Sequence, residues 1–250
     1  MRSGQDGGRP RTCDDRAVGA GPDAAAAVPS TDLPGDRSLG ESRWPPALAL
    51  VLFMGINVAL KVWLPHEGAI RAPWAVPAVE AVLLVLLLVG PASPAARRWV
   101  RPLAVALVVV LVVTALWATA FLIKDLIDGS GVTQSPSKLL ASGAVVWLGN
   151  NVAFAMLYWL IDSGGPAARA RRADPEDFAF TQHMSPELAP PGWRPVFLDY
   201  LHLGFTNATA FSPTDVMPLT LRAKYTMLVQ STVALALFGL IVARAVNAFT

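Results

Sequence analysis

Between Pro102 and Ile123 the chain reads PLAVALVVVLVVTALWATAFLI, 22 residues with no charged side chain and apolar on every side of a helix. A hydrocarbon core about 30 Å thick takes roughly 20 helical residues to cross, and backbone polar groups within it must bond to one another. Such a helix either faces lipid or is packed on all sides. The rest of the 250 residues favours lipid: 54% are hydrophobic and only 15% charged, with mean hydropathy +0.46, whereas about a quarter of a soluble domain is charged. The expected fold class is all-α, a polytopic transmembrane helix bundle, multi-pass in the cell membrane with the lipid bilayer as its first partner.

Five long membrane helices and one short segment are expected. Residues 1–43 mix Gly, Pro, Ala, Asp and Arg without periodicity and carry too little apolar surface to offset the entropy of ordering, so they read as a disordered tail. The transmembrane domain is then 44–250, with long spans at about 47–64, 74–89, 102–123, 139–161 and 220–247, and a short one at 195–211. Ser135-Pro136 opens the fourth span as cap and first helical residue. Within it Gly143, Trp147, Asn151, Phe154 and Tyr158 form a helical stripe, small at one end and aromatic at the other. The polar loop 162–194 carries Asp174-Pro175 and Ser185-Pro186, which read as starts of short surface helices.

Charge sets an orientation. If each apolar run crosses, one side collects Arg37, Arg43, Arg97, Arg98, Arg101, Arg169, Arg171, Arg172 and Arg194, and the other Arg71, Lys124 and Lys138; nine against three puts the N-terminus in the cytoplasm. The net charge of +2 and pI near 8.9 suit lipid headgroups, and no nucleic-acid partner is implied. Cys13 is the sole cysteine, which rules out an internal disulfide. No motif for a catalytic nucleophile, a metal site or a cofactor is present, so no catalytic residue, metal ligand or cofactor is assigned. Polar groups inside spans are the remaining candidates: Glu80, either a proton or ion site or a near-interface pair, and Asn150 and Asn151, either lining water or joining helices.

Pro195 to Asn247 carries the most specific pattern. A short apolar segment, VFLDYLHLGF, meets a polar bend, TNATAFSPTD, and then a full-length apolar helix. Backbone that leaves helix at membrane depth must be buried in protein or line water. Trp193 to Phe211 either crosses as a short sixth helix or dips in and out from one side; Asp199, His202, Asn207 and two threonines are too polar for a lone lipid-exposed span and favour a re-entrant or half-inserted segment. Asp199 and His202, three apart, fall on one helical face and form either a cation-handling pair or an interfacial one.

Asp199 to about Ala245 resembles the pore helix, filter and inner helix of potassium channels. The family pattern T-x-T-T-V-G-Y-G-D is met by Asn207-Ala208-Thr209-Ala210-Phe211-Ser212-Pro213-Thr214-Asp215, with Pro218, Thr220 and Lys224 following where the family has Pro, a small hydroxyl residue and a base. The loop is also similar to that of bacterial integral membrane proteins to which no function is attached. The resemblance implies a homo-oligomer and a monovalent cation as partner. It departs from the family in lacking the filter glycines. A stack of carbonyls needs residues at positive φ, which cost an L-residue about 1–2 kcal/mol, and Pro213 fixes φ near −65°. Ser212, Pro213, Thr214 and Asp215 suit a helix start instead, with Ser212 as cap. Selectivity would then rest on the side chains of Thr206, Asn207, Thr209 and Asp215. The expectation is a pore-loop-type membrane protein with a degenerate filter, conducting or not. The alternative is a non-transporting membrane scaffold or regulator.

Overall fold

The computed structural model describes residues 41–42, 44–63, 75–89, 97–129, 135–171, 175–209 and 215–249. The tail expected over 1–43 lies almost wholly outside them. Ser135 and Pro136 begin the helix on which the others are arranged, α4 (Pro136–Ile161), with the proline in its first turn, where a missing N–H costs nothing. Helices α1 (Trp44–Trp63), α3 (Arg97–Asp128), α7 (Phe197–Ala208) and α8 (Leu221–Phe249) all pack on α4, and α2 (Ala75–Val89) packs on α3.

The protein is mostly helical, and three of its described helices are long and apolar enough to cross a membrane: Trp99–Asp128, Pro136–Gly164 and Leu221–Arg244. Five long spans were the expectation. The difference lies in α1 and α2. Helix α2 has 15 residues, about 22 Å at 1.5 Å per residue against the ~30 Å required. Among the described residues the apolar stretch of α1 is Trp44–Gly55, within a helix of 20 residues.

Lipid is as apolar as leucine, so helices in a membrane associate through close packing and hydrogen bonds rather than through hydrophobic burial. Helix α3 shows both faces of this rule: Val105, Val109, Val113 and Trp117, four apart, are exposed, while Leu107, Leu111, Ala115 and Leu122 are buried. Helix α7 also packs closely on α4. A Cβ on Gly204 would stand 3.2 Å from the backbone oxygen of Asn151, so glycine lets the α7 backbone lie directly on α4. Next to it Phe205 meets Trp147 edge-on, ring centroids 5.2 Å apart.

At the C-terminal end of α4 the chain reverses through three residues in the left-handed region, Ser163 (φ 51°), Gly164 (φ 74°) and Gly165 (φ 96°). A Cβ on Gly165 would also stand 3.0 Å from the carbonyl oxygen of Leu160, so this turn needs glycine twice over. The head that follows holds α5 (Pro166–Arg171), β1 (Phe178–Phe180), α6 (Thr181–Met184) and a 3-10 turn at Pro186–Leu188. Strand β1 pairs antiparallel with β2 (Val216–Pro218), Phe178 opposite Pro218 and Phe180 opposite Val216.

Two helix starts expected from sequence are replaced by this ribbon. After Pro175 the chain runs extended into β1, because Phe178 and Phe180 are buried against Tyr158 and Tyr200. At Asp215 the chain bends into β2, and α8 begins only at Leu221, where the Thr220 hydroxyl accepts the Ala223 N–H at 3.4 Å.

Candidate functional site

Two buried polar assemblies lie one above the other along α4. The upper one begins with Asp162, which follows the last residue of α4. Its Oδ1 accepts the N–H groups of Asp177 (2.8 Å) and Phe178 (3.3 Å), and its Oδ2 accepts the Tyr200 hydroxyl at 2.5 Å. Asp177 is fully buried just before β1. Its Oδ2 accepts the Ser163 N–H at 3.1 Å, and Nε and Nη2 of Arg222 each donate to it at 2.5 Å, one to either oxygen. Thr220 adds a hydroxyl bond, and the Asp177 carbonyl accepts the Leu219 N–H at 2.8 Å. Burial by itself would raise the Asp177 pKa. The Arg222 guanidinium and the Thr220 hydroxyl outweigh it and hold the carboxyl below its usual range. With its oxygens taken up by N–H and O–H donors, Asp177 serves as a fixed anion, and Asp162 anchors the Asp177 and Phe178 N–H groups and the Tyr200 hydroxyl.

These two carboxylates place both ends of the stretch 197–215 at one end of α4. Tyr200, in the first turn of α7, is bonded to Asp162. Val216, where β2 begins, pairs with Phe180 in the strand that follows Asp177. Between these points α7 descends beside α4 and ends at Ala208.

The lower assembly joins α4, α7 and α8. Gln230 Nε2 donates to the Gly204 carbonyl at 2.9 Å, and its Oε1 accepts the Tyr158 hydroxyl at 2.6 Å and the Asn207 amide at 2.8 Å. Asn207 Nδ2 also reaches the Met227 carbonyl at 3.0 Å and Tyr158 Oη at 3.3 Å. Tyr158 and Gln230 are fully buried and Asn207 nearly so.

Of the residues singled out from sequence, Asn207 therefore faces the protein interior. Thr206 donates to the carbonyls of His202 (3.0 Å) and Leu203 (3.1 Å), and Thr209 to that of Thr206 (2.9 Å). Ser212, Pro213 and Thr214 lie outside the described residues. Asp199 and His202, expected as a pair, are separated in use. Asp199 Oδ2 accepts the Val196 N–H at 2.7 Å and so caps its own helix, because an acid in the first turn meets free N–H groups there. His202 Nε2 instead lies 3.7 Å from Asp215 Oδ2, both side chains being exposed. Asn150 Nδ2 donates to Thr119 Oγ1 on α3 at 2.7 Å, and Asn151 Nδ2 to the Trp147 carbonyl at 2.9 Å. Glu80 is buried on α2. Among the described residues no three His, Cys, Asp or Glu side chains gather in a way that could hold a metal ion.

Sequence reasoning missed Gln230, Asp162, Asp177 and Arg222. The partners of Gln230 are up to 72 residues away, a relation no local spacing records. It also missed a cleft of about 790 Å³ in the head, lined by Asp162, Arg169, His183, Trp193 and Arg194 among others. Compared with models of protein families, with curated proteins and with solved structures, the chain has no match.

Proposed function

We propose that this is an integral membrane protein of pore-loop type, related to ion channels, in which residues 195–211 re-enter as one arm of a hairpin with a degenerate filter. The carrying observation is that both ends of the hairpin are tied to one end of α4, by Tyr200 to Asp162 and by β2 to β1. Its descending arm, α7, has 12 residues, about 18 Å of helix and roughly half a bilayer core. In this reading α1 and α2 complete five membrane helices and the chain is a homo-oligomer in the cell membrane. Arg101, Arg169, Arg194 and Arg222 lie at the head end of the bundle, and Lys124, Lys138 and Arg244 at the other. In this reading the head and the N-terminus are cytoplasmic and the C-terminus is outside, as four of these basic residues against three favour, whereas the pore loop of the potassium channels enters from the outer face. Asn207 is bound inward, so a monovalent cation at the hairpin would meet Asp215 and backbone, not that amide.

The second reading, a non-transporting scaffold, is favoured by one observation: Thr206, Asn207 and Thr209 are all engaged in bonds within the fold. Two measurements separate the possibilities. In a Cys13→Ser background, cysteines at Val196 and Met217 should react with an impermeant maleimide from the same face of oriented vesicles. Labelling from opposite faces would sink the hairpin. Proteoliposomes should then pass potassium or sodium with a rate lowered by Asp215→Asn, and a same-face result without flux leaves the scaffold.

A further inference from the structure

Arg169 is fixed from behind. Its Nη1 donates to the carbonyls of Trp159 and Asp162, each at 3.0 Å, and its guanidinium lies 5.1 Å from the centroid of the Tyr200 ring. These contacts hold the planar fork at the end of α4, where it complements the last carbonyls of the helix. The fork's remaining edge, Nε and Nη2, points to Oε1 of Glu41 at 3.0 and 2.6 Å, and Trp159 Nε1 donates to Oε2 at 2.7 Å. A buried guanidinium edge beside an indole N–H is a preorganised seat for an oxyanion.

Its occupant comes from far away in sequence, 128 residues before Arg169. Among the described residues Glu41 bonds to the head only through that carboxylate. The guanidinium does not need Glu41 to keep its position, and it borders the 790 Å³ cleft, whose rim carries a second guanidinium, Arg194. That volume falls within the range of sites for small ligands.

We propose that this seat is a binding site for an oxyanion-headed ligand, a carboxylate or phosphate group, and that Glu41 is its built-in competitor, displaced when the ligand binds. The site is independent of whether the hairpin conducts. A tethered carboxylate acts at an effective concentration of order millimolar. A bare anion therefore does not displace Glu41, whereas a ligand with further contacts to the head does.

The test uses the full chain with the seat emptied. Glu41→Ala in dodecyl maltoside should melt below the parent, and sodium acetate or phosphate should raise its midpoint by about 3 °C or more over sodium chloride of equal ionic strength. The parent, already occupied, should not respond. Nanodiscs of phosphatidylglycerol against phosphatidylcholine form the second arm. Recovery by soluble phosphate or acetate assigns the seat to a free ligand, and recovery only in phosphatidylglycerol assigns it to a lipid headgroup. Equal response of parent and variant, or none in either arm, overturns the proposal. Should Glu41→Ala fail to fold, Glu41→Gln leaves a neutral and weaker competitor in the seat, and its midpoint should rise with acetate or phosphate where the parent's does not. Trp159→Phe in the Glu41→Ala background should weaken the recovery by removing one donor.

Discussion

The side-chain amides of Asn207 and Gln230 meet at 2.8 Å inside the bundle, and Tyr158 donates to the same Gln230 oxygen at 2.6 Å. One α8 side chain thus ties down α4 and α7 together, and Gln230 is the more consequential partner. Without Asn207, Tyr158 still reaches Gln230. Without Gln230, the Tyr158 hydroxyl loses its acceptor and the Gly204 carbonyl its amide donor. Gln230→Leu should cost about 2 kcal/mol or more and Asn207→Ala about 1 kcal/mol. Thermal unfolding in detergent should order the two variants that way. The reverse order would mean that Asn207 and not Gln230 is the hub.

Asp177 and Arg222 make stability depend on acid. The Asp177 carboxyl titrates lower in the fold than in the unfolded chain, where its pKa is about 3.9. Its contribution is therefore complete above about pH 4 and is lost as pH falls through the folded value. Asp177→Asn should cost about 2–3 kcal/mol at pH 7, less than the roughly 3–5 kcal/mol of a broken fully buried pair because half-exposed Arg222 can rehydrate. The melting difference between parent and variant should hold steady from pH 7 to 5 and shrink below pH 4. A difference that grows on acidification contradicts the assignment.

How much was legible in the sequence follows from the range of each interaction. Helix α4 occupies the run expected at 139–161, α8 that at 220–247, and α7 lies inside 195–211, because apolar runs bounded by proline and polar residues carry their own limits. The ribbon did not show itself: three residues per strand are too few to alternate visibly, and β1 is helix-free only because Phe178 and Phe180 find Tyr158 and Tyr200. Asp177 reads as solvated loop until Arg222, 45 residues on, is seen beside it. Asp199 and His202 satisfied a spacing rule, yet the first turn of α7 and Asp215 had prior claims on them.

Gly204 sets the depth of α7 against α4. A Cβ would stand 3.2 Å from the Asn151 carbonyl oxygen and 3.6 Å from the Ala155 side chain, and backbone gives way less readily than side chain. Gly204→Ala should be tolerated at a cost of about 1 kcal/mol, and Gly204→Val should cost about 3 kcal/mol by forcing α7 outward. The displaced helix also loosens the Gln230 bond to the Gly204 carbonyl. A cysteine at Leu203, fully buried in the parent, should react with a maleimide faster in Gly204→Val than in Gly204→Ala. Equal rates would show that α7 does not move.

Thr119 and Asn150 test whether a polar pair inside the membrane holds α3 to α4. Thr119 passes its own proton to the Ala115 carbonyl at 2.9 Å and receives the Asn150 amide at 2.7 Å. Among the described residues the Asn150 side-chain oxygen, Oδ1, has no hydrogen-bond partner, so burying this amide already carries a desolvation cost and the pair's net worth is small. Thr119→Val, nearly isosteric, leaves the amide with only the Val146 carbonyl at 3.2 Å and should cost about 1 kcal/mol. In Asn150→Ala the bond is already absent, so adding Thr119→Val there should cost close to nothing. The double-mutant cycle should give a coupling of about 0.6–1.7 kcal/mol. A coupling near zero would assign the cohesion of α3 and α4 to apolar packing, in which Leu122, Leu126, Leu139 and Val146 take part.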